Sequence, residues 1–347
     1  MARHWPEAQV REVITVDTGA PSRRQLAVLA TLAAGGAVTM SPFVDELADV
    51  DARFRVLVCE YEDIPLTESL PRLDALYAEV VRLSERRVAP AQRRAAGATL
   101  AHVEALRADA LFNTDRIDQA RRLAEAAYRH GRSAGDALAV GYARKIAGMI
   151  ELYEEHPESA LRLAMDGQRQ ANGTPVAIAA LALQARAVAV LPGGRPDEVA
   201  RIADRAIGQA FALPAEQRGT PGGEDPGAVH PVEVAYHGLI AAAAAGDHSA
   251  ATDYADVALP ALTAMNRPGF VAVALAHLAA ADAHRGDVES ALDRAGTAFD
   301  LAPRPFRAVG RPLAATLLAL RAGHANADGV RSFLARARAW KQDGSTI

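Results

Sequence analysis

The feature that most constrains this chain is a motif that returns about every forty residues. Similar turn signals precede helices that begin alike: Asp115-Arg116-Ile117-Asp118-Gln119-Ala120, His156-Pro157-Glu158-Ser159-Ala160, Arg195-Pro196-Asp197-Glu198-Val199-Ala200, Gly246-Asp247-His248-Ser249-Ala250-Ala251 and Gly286-Asp287-Val288-Glu289-Ser290-Ala291. A weaker sixth runs from Asn326 to Ser332. Aligned on the small residue early in each helix (Ala120, Ala160, Ala200, Ala251, Ala291 and Ser332), the spacing is 40, 40, 51, 40 and 41. Seven residues past each anchor stand Ala127, Gly167, Ile207, Ala258, Ala298 and Ala339; twelve before it stand Ala108, Gly148, Val188, Leu239, Ala279 and Leu320. Antiparallel helices that approach to about 8–10 Å need small side chains at a fixed register. A constant period then predicts stacked helical hairpins, each burying the apolar face of its neighbour.

Composition agrees with helices. Aromatic residues are 5% of the chain, too few for the β-branched and aromatic faces that sheets prefer. The formal net charge of −4 predicts no bulk attraction to nucleic acid or to an anionic membrane. Cys59, the one cysteine, excludes an internal disulfide and a cysteine-rich metal cluster. No glycine-rich phosphate loop and no Gly-x-Ser-x-Gly elbow occurs, so no cofactor is implied.

Three regions follow. Residues 1–25 read as a loose arm, with Pro6, Gly19 and Pro21 and little periodicity. Residues 26–92 read as an N-terminal helical cap, with apolar faces Phe43–Tyr61 and Leu70–Val88 closed by Pro90. Arg23-Arg24 ahead of Leu26–Met40 has the outline of an export signal. The apolar run is shorter than the roughly 20 residues of a membrane span, so a buried helix and a cytoplasmic protein are expected. Residues 93–340 are the repeats. A Gly/Pro-rich insertion at 213–231, including Thr220-Pro221-Gly222-Gly223-Glu224-Asp225-Pro226-Gly227, accounts for the long spacing and is either an idle loop or a lid.

The order of small residue, turn and small anchor resembles the tetratricopeptide repeat. Together with Pro71-Arg72-Leu73-Asp74-Ala75-Leu76-Tyr77 and Gln119-Ala120-Arg121-Arg122-Leu123-Ala124-Glu125-Ala126-Ala127, residues from about 43 to 340 look like the helical-repeat region of actinobacterial XRE-type regulators, without their helix-turn-helix domain. The resemblance implies an all-α fold, a right-handed superhelix of about six tetratricopeptide-like hairpins with an N-terminal helical cap. It also implies that the first helix of each pair lines a concave groove at positions 18, 15, 11, 8 and 7 before each anchor.

Read at those positions, the polar candidates for ligand binding are His102, Asp109, Tyr142, Lys145, Tyr153, Glu233, Tyr236 and His284. Glu104, Arg144 and Gln184 form a second ladder 16 before the anchors, in which Glu104 is expected to pair with Arg144. His277 and His284, seven apart, with His237 in the register of His277, match no zinc-binding pair, so no metal is assigned. The expected function is a regulator-like binding protein that receives a peptide, small molecule or partner protein in its groove. The alternative is an enzyme of specialised metabolism on a recruited regulator scaffold, acting on a mostly apolar substrate. A third possibility is an oligomerisation scaffold, a homodimer among its forms, using an exposed end helix around Phe333 and Trp340.

Overall fold

The structure is a computed structural model that describes residues 42–61, 64–193, 195–220, 224–302, 307–324 and 328–343. The arm at 1–25, the Arg23-Arg24 pair and the apolar run that follows it lie outside the described residues. Fourteen α-helices and one short 3-10 turn make up the regular structure, with no strand among the described residues. They are α1 (Pro42–Glu60), α2 (Leu66–Ser84), α3 (Pro90–Asn113), α4 (Ile117–Ala134), α5 (Ala137–Tyr153), α6 (Pro157–Gln170) and α7 (Pro175–Ala189). Then come α8 (Pro196–Phe211), α9 (Pro231–Ala244), α10 (His248–Ala264), α11 (Pro268–Arg285), α12 (Val288–Leu301), α13 (Arg307–His324) and α14 (Asp328–Asp343).

Local chemistry sets many of these boundaries. Proline opens α3, α6, α7, α8, α9 and α11, where its missing N–H and fixed φ suit a first turn. Pro90 therefore starts a helix rather than ending the one before it. Asp136, Asp247 and Asp287 cap α5, α10 and α12 by accepting the N–H of Ala139, Ala250 and Ser290. Five residues before four of the anchors the chain takes the same left-handed turn: Asp115 at φ 63°, Glu155 at 65°, Gly246 at 75° and Gly286 at 81°. The conformation repeats even where the glycine does not.

Each odd-numbered helix from α3 to α13 packs on the next odd-numbered helix, as well as on the helices adjacent to it in sequence. The anchors Ala120, Ala160, Ala200, Ala251 and Ala291 are all buried where the members of a pair meet. Ser332 is exposed, so the sixth motif does not repeat this setting. Phe333 is buried and Trp340 is stacked 5.3 Å from Phe299, with its Nε1 donating to the Ala302 carbonyl at 2.6 Å. The end helix thus buries Phe333 within the chain, while Trp340 remains half-buried. The Glu104–Arg144 pair does not form. Glu104 bonds His130 of α4 at 2.7 Å, and Arg144 bonds Asp166 of α6 at 3.0 Å and Glu125 of α4 at 3.1 Å. Positions 16 before the anchors thus face the second helices of the pairs, and the ladder does not run along the first ones.

Buried side chains divide into two apolar clusters that meet within α7, one reaching Val176 and Ala177, the other beginning at Ile178. Ala308 of α13 packs against both, and Arg311 of α13 bonds Glu155 at 2.7 Å, so the last odd-numbered helix touches the second pair. No described helix is long and apolar enough to cross a membrane.

Two glycines test this packing with opposite signs. A Cβ on Gly141 would stand 2.5 Å from the Ala171 Cβ and 2.9 Å from Val176 Cγ1, whereas one on Gly208 would meet nothing within 4 Å. Gly141→Ala is expected to destabilise by about 1–3 kcal/mol, and Gly208→Ala to stabilise by up to about 1 kcal/mol, in urea unfolding. Stabilisation by both would refute the close approach at α5.

Candidate functional site

Helical spacing puts Asp109 and Asn113 on one face of α3, Tyr142 and Lys145 on one face of α5, and Glu233 and His237 on one face of α9. Because α3, α5, α7 and α9 pack in succession, these faces are brought side by side. The fourth contributor comes from no helix. The connection between α8 and α9 is fastened at its base, where Arg218 donates to the carbonyls of Leu213 at 2.9 Å and Phe211 at 3.1 Å, and Val229 N–H donates to the Gln217 carbonyl at 3.0 Å. Its tip reaches α5, where Glu224 Oε2 accepts from Lys145 Nζ at 2.8 Å and from the Tyr142 hydroxyl at 3.1 Å. Tyr142, Lys145, Val176, Ala179, Glu224, Asp225, Pro226, Ala228, Val229 and Glu233 enclose a space that holds little more than a water molecule.

Burial alone would neutralise Lys145. The Glu224 carboxylate, then Glu233 and Asp109, overcome that and raise its pKa, so it stays an ammonium. Tyr142 is pushed the same way by burial and by the carboxylates of Glu224 and Asp109, so its phenol stays neutral. Asp109 lies deep in the protein yet keeps accessible surface. Burial first and the Glu224 charge second raise its pKa to about 7, against hydrogen bonds from the Tyr61 hydroxyl at 2.8 Å and Asn113 Nδ2 at 2.9 Å and the attraction of Lys145.

Next to this cluster Arg186 of α7 is buried among neutral partners: the Tyr153 hydroxyl at 3.1 Å, His237 Nδ1 at 3.4 Å and Met149 Sδ at 3.4 Å. Burial and the Arg186 charge hold His237 well below the usual histidine range and His277 at about 3, so both rings are neutral. His237 Nε2 is 3.9 Å from Glu233, which links the two clusters.

The sequence-derived candidates therefore separate. Asp109, Tyr142, Lys145 and Glu233 come together; Tyr153 joins Arg186. Tyr236 is buried against Phe270 and His237, each at 5.1 Å between ring centroids. His102 stands beside Tyr142, 6.4 Å between rings, with burial lowering its pKa. His284 is exposed, with Nδ1 2.7 Å from the Ala280 carbonyl of its own helix. Glu224, Tyr61 and Arg186 complete the arrangement and were absent from those candidates. Arg186 sits 14 before its anchor, a register shared with His237 and His277 that would have flagged it. Among the described residues, no three His, Cys, Asp or Glu side chains are placed to hold a metal ion. The chain matches no protein-family model, and no curated protein matches it.

A carboxyl raised to about 7 keeps in the native state a proton that the unfolded chain loses near pH 4. Its contribution to stability is full below about pH 4 and is lost as pH rises through about 7. The ionisable groups that face it are Tyr61 after α1, Tyr142 and Lys145 of α5, and Glu224 of the connection. Asp109→Asn keeps acceptors for Tyr61 and Asn113, so it is expected to stabilise by roughly 1–3 kcal/mol at pH 8 and to flatten the loss between pH 4 and 7 in urea unfolding. An unchanged pH profile would contradict the assignment.

Proposed function

We propose that this chain is a regulator-like helical-repeat binding protein, a superhelix of tetratricopeptide-like hairpins whose first helices line a concave groove. Its ligand is a small molecule or short peptide, seated where Asp109, Tyr142, Lys145 and Glu233 converge. What supports the reading most is the meeting of Lys145 and Tyr142 with Glu224. A polar centre is assembled from helices far apart in sequence and closed by an irregular connection, against apolar walls of Val176, Ala179 and Val229. Buried charge of this kind is a poor source of stability, so a role in recognition accounts for it better than a role in holding the fold.

The described residues 224–229 of the connection form one wall of the site in this reading. The base of the connection is tied to its own ends by Arg218 and Val229, whereas Glu224 is bonded to α5 by two bonds that a ligand can replace.

One observation favours an enzyme as a second reading. Asp109 titrates at about 7 beside a neutral phenol, where general acid–base catalysts operate.

Protein purified without denaturation is expected to carry a bound compound, seen by native mass spectrometry and released on unfolding. Lys145→Met is expected to lose most of it at unchanged helix content. A ligand-free native mass, together with no response in melting temperature across a chemically diverse compound set, would count against the binding reading.

A further inference from the structure

We propose that Oδ1 of Asp109 is the seat of a ligand ammonium group, so that the compound this site takes is an amine with an apolar body. The inference rests on the binding reading above and adds the chemical class of the ligand. Both hydrogen bonds to the Asp109 carboxylate, from Tyr61 and from Asn113, end on Oδ2 and come from neutral donors. Among the described residues nothing bonds Oδ1, although Asp109 lies deep within the fold and retains accessible surface.

The charges point the same way. Lys145 is committed to Glu224 at 2.8 Å, which leaves Asp109 as a second carboxylate on the same cluster without a cation bonded to it. A carboxylate withdrawn from water is costly even with two neutral donors and the attraction of Lys145, and a bound ammonium adds a cation bonded directly to Oδ1. Aromatic residues are carried by the elements that meet at the seat. Tyr61 bonds Asp109, Tyr142 shares Glu224 with Lys145, and Phe112, three residues on in α3, stacks 5.5 Å from Tyr153. Ring faces attract ammonium groups more strongly when both are withdrawn from water.

The proton on Asp109 gives the signature. An ammonium binds the ionised carboxylate, so its affinity rises with pH through about 7 while the amine itself stays protonated, its pKa being near that of lysine, about 10.4. Tyr61 and Glu224 face Asp109 as well, and the facing groups Lys145 and Tyr142 keep their charge states across this window because both pKa values are raised.

The test is titration of the full chain with n-butylammonium chloride and, separately, with sodium butyrate, by ligand-observed NMR at pH 6 and pH 8. Butylammonium is expected to bind about tenfold more tightly at pH 8, as the ionised fraction of Asp109 grows from about a tenth to about nine-tenths. Asp109→Asn is expected to weaken it at least tenfold at pH 8, and Tyr61→Phe to retain the pH trend. Asp300→Asn, which removes an exposed carboxylate paired with Arg336, is expected to leave binding unchanged. Equal binding by Asp109→Asn, or affinity independent of pH, overturns the proposal. Binding of butyrate alone, abolished by Lys145→Met, overturns the ammonium seat and leaves the pocket standing. If neither ion binds, the ammonium seat falls, and the binding reading is decided by the native-mass and melting measurements above.

Discussion

The close approach of paired helices at small side chains is the constraint from which the rest of this structure follows. Gly148 is the plainest instance. A Cβ there would meet Leu183 Cδ2 at 2.9 Å and the carbonyl of anchor Ala160 at 3.3 Å, so α5 and α6 lie as near as their backbones permit. With pairs that thin, the first helix of one pair reaches the first helix of the next. The faces carrying Asp109, Lys145 and Glu233 then come to lie beside one another. A larger residue at such a contact would separate the axes and scatter the polar groups that the layer of first helices collects.

The polar centre is energetically expensive and is held together by mutual dependence. Lys145 remains charged because Glu224, Glu233 and Asp109 outweigh its desolvation, and Asp109 holds its proton to about 7 because of its own burial first and the Glu224 charge second. Removing Lys145 or Glu224 leaves the other's buried charge uncompensated, which is more damaging than never having built the pair. The Arg186 row is different in kind. Its neighbours Tyr153, His237 and Met149 are neutral, and burial, with the Arg186 charge second, keeps His237 and His277 neutral.

Much of the helical layout was legible in the sequence, since the period, the turn signals and the small anchors are local properties. Ala120, Ala160, Ala200, Ala251 and Ala291 are buried as the period requires, and the weak sixth motif is the one whose anchor, Ser332, is exposed. Positions 18, 15 and 11 before the anchors, offsets that the resemblance to the tetratricopeptide repeat implies, gave Tyr142, Lys145, Asp109 and Glu233. What could not be read is where an aperiodic segment lands. Glu224 lies in a stretch of glycine and proline that sets no register, and its contact with Lys145 spans 79 residues. Tyr61 was missed for a similar reason: it follows α1 of the cap, whose angle against α3 no period specifies. The expected Glu104–Arg144 pair failed because like register along a stack does not fix which neighbour a long side chain faces.

The central claim is that Glu224, carried in by the connection, is bonded to Lys145 within the layer of first helices. A double-mutant cycle on unfolding free energy tests it most directly, using Lys145→Met, Glu224→Gln and the pair of substitutions together. The account predicts that the two changes interact by at least about 1.5 kcal/mol, as buried charged partners do. Additivity to within about 0.5 kcal/mol would show that the two side chains do not meet, and the site described around them would not exist.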